Sequence, residues 1–283
     1  MNNIYSLGLY EKAIPSEFGF EEKLKIAKDG GFDRLEISID ESDARLARLD
    51  WSYAQKKELK TLIEESGVCI RTMCLSGHRK YPMGAHSEET REKSMEIMKK
   101  AIDFCQEIGI SIIQLAGYDV YYEDGDETTR KYFEENLKIA AKYAAARGVM
   151  LGFETMETPF MDTVEKAMHY VNVVNSPWLG VYPDIGNLKN AAVLYGHNVA
   201  DDMNKGAGHI VAVHLKETMP GIYRDMRFGD EKGHTEYESC IKAAIDMGCC
   251  MFTGEFWYQK GQNYMDEILH ANRFLREKIE KCL

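Results

Sequence analysis

Short apolar runs alternate with longer amphipathic stretches along the whole chain. Eight runs, 4–10, 34–39, 68–75, 111–117, 149–155, 179–185, 210–217 and 251–257, have the length and composition of strands. Most are nearly continuous in apolar residues, the pattern of parallel strands covered on both faces. Between them apolar positions return at helical spacing. Over 127–146, Phe133, Leu137, Ala140, Ala141 and Ala144 fall on one side of a helix. The same spacing predicts helices over 17–29, 51–65, 88–108, 162–174, 188–195 with 198–205, 236–247 and 265–281. Gly31, Gly67, Gly109, Gly148 and Gly248 stand where a helix hands over to the next strand, the place of a left-handed C-cap.

Eight strand–helix units in 283 residues predict an α/β fold, a (β/α)8 TIM barrel forming one domain over 1–283. An open doubly wound sheet is the alternative. It would carry a glycine-rich phosphate turn after the first strand, and Leu9-Tyr10-Glu11-Lys12-Ala13 is not one. No low-complexity linker or break in composition divides the chain. The longest strand-to-helix connections follow the second, third, fourth and seventh strands, and in a barrel they build the catalytic face.

Charge narrows the range of ligands. The chain has 35 basic and 46 acidic residues, a net charge of −11. That argues against nucleic acid, which needs a basic stripe, but not against a small anion in a local basic pocket. No apolar run reaches the roughly 20 residues of a membrane span. The start, Met1-Asn2-Asn3-Ile4-Tyr5-Ser6, does not read as a secretory leader. Seven cysteines, an odd number without a C-x-x-C pair, are expected as free thiols of a cytoplasmic protein.

The candidate chemistry lies at the ends of the last four strands. There the apolar runs end on Glu154, Asp184, His214 and Glu255. In a barrel these ends converge on one mouth. A single such glutamate is commonly a helix N-terminal charge, and a single such histidine a core residue. Four on consecutive strands point instead to one divalent ion. Three carboxylates and one imidazole suit Mn²⁺, Co²⁺, Mg²⁺ or Zn²⁺.

Gly152-Phe153-Glu154-Thr155, Pro183-Asp184-Ile185-Gly186-Asn187, Val213-His214-Leu215-Lys216-Glu217 and Gly254-Glu255-Phe256 resemble the metal-ligand stretches of the xylose-isomerase-like barrels. Two further stretches are more specific, Met73-Cys74-Leu75-Ser76-Gly77-His78-Arg79-Lys80-Tyr81-Pro82-Met83-Gly84 and Gln114-Leu115-Ala116-Gly117-Tyr118-Asp119-Val120-Tyr121-Tyr122. They are similar to the L-ribulose-5-phosphate (L-xylulose-5-phosphate) 3-epimerases of ascorbate and pentose catabolism. The resemblance runs essentially from Tyr5 to Phe274. It implies a metal-dependent epimerase that inverts C3 of a ketopentose phosphate through a cis-enediolate. It also implies that Glu154 and Glu255 serve as acid/bases as well as ligands. Free-sugar 3-epimerases carry a histidine three residues after the strand-six aspartate and an arginine six after the strand-seven histidine. Here those places hold Asn187 and Pro220, with Arg224 further along the loop. That departure fits a phosphorylated ketose.

A phosphate requires donors and positive charge. The expected set is His78, Arg79 and Lys80 after the third strand and Arg224, with Arg227 beside it, after the seventh. Asn187 and Glu217 are expected to meet or orient the sugar. Glu36 is equally readable as a mouth residue or a packing group, and Trp257 and Tyr258 as pocket wall or core. His209 is expected at the opposite end of the barrel and His234 in a loop. The expected partner is a small phosphorylated ketose, with neither nucleic acid nor membrane, and a homodimer is one assembly open to the chain. Alternatives on the same residues are an aldose–ketose isomerase of the hexulose-6-phosphate type, an endonuclease IV-like phosphodiesterase and a sugar-phosphate-binding barrel without catalysis. The phosphodiesterase would need more strand-end histidines. The binding barrel is favoured by loss of a glutamate, and both are present.

Overall fold

The computed structural model describes residues 4–283; residues 1–3, which open the stretch read as lacking a leader, lie outside them. Strand and helix alternate throughout. The first half runs β1 (Ser6–Tyr10), α1 (Phe20–Asp29), β2 (Arg34–Ile39), a short α2 (Asp43–Leu46), α3 (Tyr53–Ser66), β3 (Cys69–Leu75), α4 (Glu88–Ile108) and β4 (Ile112–Ala116). The second runs α5 (Glu127–Ala145), β5 (Met150–Glu154), α6 (Val164–Val174), β6 (Leu179–Val181), α7 (Ile185–Tyr195) and α8 (Val199–Asn204). It ends with β7 (Val213–Leu215), α9 (Tyr237–Asp246), β8 (Met251–Gly254) and α10 (Tyr264–Glu280). All eight strands are parallel and ordered β6-β5-β4-β3-β2-β1-β8-β7. Parallel bridges Val181↔Ile210 and Asp184↔His214 join the two ends of this order and close the barrel.

The closing seam is where the apolar pattern misleads. The sixth and seventh strands read as 179–185 and 210–217, but regular pairing covers only Leu179–Val181 and Val213–Leu215. Pro183 has no N–H to give a ladder. Immediately after it, the Asp184 side chain accepts from Asn187 N at 2.7 Å and starts α7 at Ile185, so that helix begins three residues before the 188 read from spacing. At the other end, the helix terminators behave as their composition implies. Gly31, Gly67, Gly109, Gly148 and Gly248 have φ between 68° and 91°. All seven cysteines are free. No helix among the described residues is long and apolar enough to cross a membrane.

Outward-facing strand residues such as Leu7, Leu9, Leu35, Ile37, Ile113, Phe153 and Phe252 pack under the helices in the main core. Inside the barrel a small apolar cluster of Ile112, Tyr182 and Ala212 accompanies a polar layer. Arg34 is fully buried there and donates to Thr72 Oγ1 (2.9 Å), Phe252 O (2.6 Å) and Thr253 Oγ1 (2.9 Å). It fits because its neighbour is Gly8: a Cβ at that position would stand 2.5 Å from the guanidinium.

A second buried charge cluster ties together the loops after β1 and β2. The fully buried Glu11 accepts from Lys23 (2.7 Å), from both Arg48 Nη atoms (2.8 Å each) and from Ser38 N (2.9 Å), and pairs with Arg45 at 2.8 Å. Burial pushes this carboxyl up, but Arg48, Arg45 and Lys23 outweigh it and hold Glu11 far below the usual carboxylate range. Its folded-state value is thus depressed, so its contribution is complete above the unfolded value of about 4.3 and is lost as pH falls further. Glu11→Gln strands three cations, and is expected to cost about 3–5 kcal/mol at pH 7. In urea titrations the gap between variant and wild type should narrow below about pH 4; a constant gap would contradict this account.

Candidate active site and metal centre

Each predicted ligand reaches the mouth for a local reason. Glu154 is the last residue of β5, and Glu255 follows β8, with its N–H bonded to Leu215 O at 2.9 Å. Asp184 gives Oδ1 to the helix N-terminus and turns Oδ2 to the mouth, 3.2 Å from Lys216 Nζ. His214 lies in β7 with its side chain turned inward.

These four residues each offer one donor atom, and all the donors lie within 4.8 Å of one another. His214 Nδ1 is 3.7 Å from Glu154, 3.9 Å from Asp184 and 3.3 Å from Glu255. Two ligands at roughly 2.0–2.4 Å from one ion can be at most about 4.8 Å apart, so these spacings suit a shared cation. Asp184 Oδ2 and Glu255 Oε2 are buried and have no hydrogen-bond partner. Buried carboxylate oxygens left this way are costly, and a divalent ion is the group that fits them. The crowding shows in their protonation: burial, with Glu255 close by, pushes Asp184 up to about 8 even against Lys216. Burial likewise raises Glu154, with Glu255 adding to it. Burial would raise Glu255 too, but Lys216 and His214 hold it well below the usual range.

Under the cluster lies a layer the strand-end pattern does not display. Glu36 Oε1 contacts His214 Nε2 at 2.6 Å, with both side chains fully buried. A carboxylate there demands the proton on Nε2 and leaves Nδ1 as the coordinating nitrogen. Tyr182 OH donates to Glu36 Oε2 at 2.7 Å and meets Thr253 Oγ1 at 2.8 Å. The Gln114 amide lies 3.0 Å from His214 Nδ1. A signal for this layer exists in Arg34-Leu35-Glu36-Ile37-Ser38-Ile39: strict alternation in a strand covered on both faces turns the polar half into the barrel.

Above the carboxylates opens a narrow polar cleft. It is lined by Tyr10, Lys12, Cys74, Ser76, Arg79, Glu154, Met156, Glu157, Asn187, Lys216, Tyr223, Arg224, Glu255 and Trp257. Arg79, Asn187 and Arg224 from the expected substrate set therefore share it. Arg79 lies over the rings of Tyr121 and Tyr118, at 4.9 and 5.8 Å from their centres, and Tyr118 OH donates to Glu157 at 2.6 Å. Arg224 lies 5.5 Å from the Trp257 ring centre. Asn187 Nδ2 donates to Thr155 O at 2.8 Å, while its Oδ1 has no partner.

Four other candidates are placed elsewhere. His78 turns into the barrel wall, with Nε2 3.2 Å from Ser94 O, and burial holds its pKa down to about 4. It carries no charge for a phosphate near neutrality. Lys80 is exposed and lies over Tyr81. Arg227 pairs with Glu267 at 2.8 Å on the surface. Glu217 accepts backbone N–H groups from Thr218 and Thr235 (3.2 Å each) and Gly229 (3.3 Å), which ties down the loop that carries Arg224. Adjacent residues in an irregular loop point in different directions, and sequence density cannot tell which one faces the mouth. Lys216, which no strand-end rule singled out, is inside the cleft.

An eight-stranded barrel with a histidine and three carboxylates converging at the C-terminal mouth defines a barrel enzyme whose site has donors that could hold a metal ion. The model of the family described as xylose isomerase-like TIM barrel matches residues 24–278. The chain is 41% identical over 277 residues to L-ribulose-5-phosphate 3-epimerase UlaE of Salmonella paratyphi A, covering 98% of this chain and 95% of that protein. It is 40% identical over 277 residues to the protein of the same name from Shigella boydii serotype 18, with the same coverage. Among solved structures, D-allulose 3-epimerase from Methylomonas sp. in complex with D-allulose superposes with a TM-score of 0.77 at 16% identity, over 97% of each chain. The chain belongs to the xylose isomerase-like TIM barrel family. It is an enzyme of the isomerase class, a sugar epimerase.

The contact beneath the histidine is open to direct test. Glu36→Gln removes the carboxylate that fixes the His214 proton, and is expected to weaken Mn²⁺ binding about 10–100-fold. Titration followed by electron paramagnetic resonance measures this. Mn²⁺ should also raise the melting temperature of the wild type more than that of the variant at equal concentration.

Proposed function

We propose that the protein inverts C3 of a ketopentose phosphate, interconverting L-xylulose 5-phosphate and L-ribulose 5-phosphate, with one divalent ion held by Glu154, Asp184, His214 and Glu255. The observation that carries this reading is the pair Glu154 and Glu255, two buried carboxylates facing one cleft from strands three apart in an eight-stranded ring. The full-length likeness to proteins named L-ribulose-5-phosphate 3-epimerase supports the choice of sugar. Mn²⁺, Co²⁺, Mg²⁺ and Zn²⁺ all suit the oxygen-rich donor set. A bound divalent ion supplies Lewis-acid stabilisation of negative charge on the sugar oxygens.

The two glutamates do the proton transfer. One removes the C3 proton from one face of the ketose, and the resulting carbanion is delocalised as a cis-enediolate. The other, protonated, returns a proton to the opposite face. In the reverse direction the roles exchange. Asn187, fixed by Thr155 and Asp184, presents its unpartnered Oδ1 to a sugar hydroxyl. Arg79 and Arg224, on loops from different sides of the mouth, bind the phosphate. Aromatic rings hold both guanidinium groups, which reduces the freedom lost on binding. The free cysteines fit a cytoplasmic site of action.

Two measurements test this. In D₂O with Mn²⁺, proton NMR of L-ribulose 5-phosphate should show deuterium entering at C3. Entry at C1 would indicate aldose–ketose isomerisation instead. Glu154→Gln and Glu255→Gln should each lower turnover of both epimers by several orders of magnitude while keeping bound metal. One of the two should still exchange the C3 proton of one epimer without inverting it. Separately, Arg79→Ala should lower kcat/KM for the phosphorylated ketose by about 1.5–3 kcal/mol, and far less for the free ketose. Equal losses on both substrates would move the phosphate away from Arg79.

A further inference from the structure

We infer that Lys216 is a third catalytic residue of this site, an ammonium that donates to the sugar oxygen on which negative charge develops when the C3 proton leaves. The inference rests on the epimerase reading above and deepens it.

Its place immediately after β7 sets it apart from the four residues of the candidate metal site. His214 points into the barrel, and Lys216 follows by two residues on the same inward side. Two residues of strand advance about 6.6 Å, so Lys216 leaves the backbone one layer nearer the mouth, in the cleft a substrate enters. Its side chain is only 6% exposed. Nζ lies 3.2 Å from Asp184 Oδ2 and 3.2 Å from Glu255 Oε2, and 5.9 Å from the Trp257 ring centre. Among the described residues no other lysine or arginine comes within ion-pair distance of Glu154, Asp184 or Glu255.

The two carboxylate oxygens at 3.2 Å engage at most two of the three ammonium N–H groups. The third, on a stem of four flexible carbons, is left to turn to an oxygen entering the cleft. Arg79 and Arg224 approach from the loops above, whereas Lys216 brings a positive side chain down to Glu255 and Asp184. This cation therefore sits where charge changes.

The chemistry balances without further reactants. A glutamate takes the C3 proton, and the C–H electron pair forms the C2=C3 bond. The C2=O π pair moves onto O2, which accepts a hydrogen bond from Nζ. On return the O2 pair re-forms the carbonyl and the second glutamate delivers its proton to C3. Lys216 keeps its own proton throughout. Donors fixed in a water-poor site act strongly on an oxyanion and weakly on a neutral carbonyl, so the effect falls on turnover and not on binding.

The test compares Lys216→Met, which keeps length and apolar stem, with Lys216→Arg, which keeps charge. Three quantities are read in each: C3 deuterium wash-in at saturating Mn²⁺, Mn²⁺ affinity by electron paramagnetic resonance, and calorimetric affinity for a phosphorylated hydroxamate, a planar mimic of the enediolate. Lys216→Met is expected to lower kcat for wash-in about 10²–10³-fold, with KM changed only a few-fold. Hydroxamate affinity should fall in parallel, and Mn²⁺ should still bind at one equivalent. Lys216→Arg should recover part of both losses and guards against a fold defect in the methionine variant. Wash-in within threefold of wild type in metal-loaded Lys216→Met would overturn the inference, as would an unchanged hydroxamate affinity. Full recovery of the methionine variant at higher Mn²⁺ would overturn it as well, since the lysine would then only balance charge. Absence of C3 wash-in from the wild type is a different failure, of the epimerase reading itself.

Discussion

At the centre of the barrel Glu36 and His214 meet at 2.6 Å, both completely shut off from water. Neither group can sit there alone, because a buried carboxylate or a buried imidazole without a partner is costly. Tyr182 and Thr253 complete the satisfaction of Glu36, and Arg34, stacked against Gly8, supplies positive charge below it. Burial would raise the Glu36 carboxyl, but His214 and Arg34 hold it below its ordinary value. The layer thus fixes the ring of His214 in one orientation, with Nδ1 aimed at three carboxylates. The mouth inherits its geometry from this contact.

The ring is weakest where the chemistry is densest. Between β6 and β7 the ladder shrinks to isolated bridges, and one of them pairs two residues of the candidate metal site, Asp184 and His214. Pro183 interrupts the ladder, and Asp184 then starts a helix with one oxygen while keeping the other for the site. Loss of regular pairing is what lets two neighbouring strand ends turn polar groups inward. Stiffness returns through the loops. Glu11 clamps the loops after β1 and β2, and Glu217 the loop after β7. Buried carboxylates that bind loop backbone and cations can hold a rim in place without a covalent tie, and the seven free thiols provide none.

The eight-fold alternation of strand and helix, the glycine terminators and the four polar residues that the fold gathers at the mouth were all legible in the sequence. Each is written in local periodicity or in the polar residue that ends an apolar run. The second strand was the instructive case. Its alternation of Arg34, Glu36 and Ser38 with Leu35, Ile37 and Ile39 is plain, yet alternation by itself leaves Glu36 open between mouth and packing and gives Arg34 no role. Only closure of the barrel assigns the polar half to an interior without water, where every group must find a partner. The basic run after β3 erred in the other direction. Density at the right end of the barrel suggested three phosphate groups, and the folded loop brings Arg79 alone to the cleft.

What the sequence determined by itself is the set of units and the chemistry at their ends, because helical and strand periods and the residues that stop them act within a few positions of the chain. The tertiary structure alone decided which side chains share a space: His214 with Glu36 across 178 residues, Gln114 with His214 across 100, and Lys216 with Asp184 and Glu255 on neighbouring strands. Hydrogen bonds and ion pairs depend on distance in space, and a chain closed into a ring brings together residues whose separation in sequence carries no record of it.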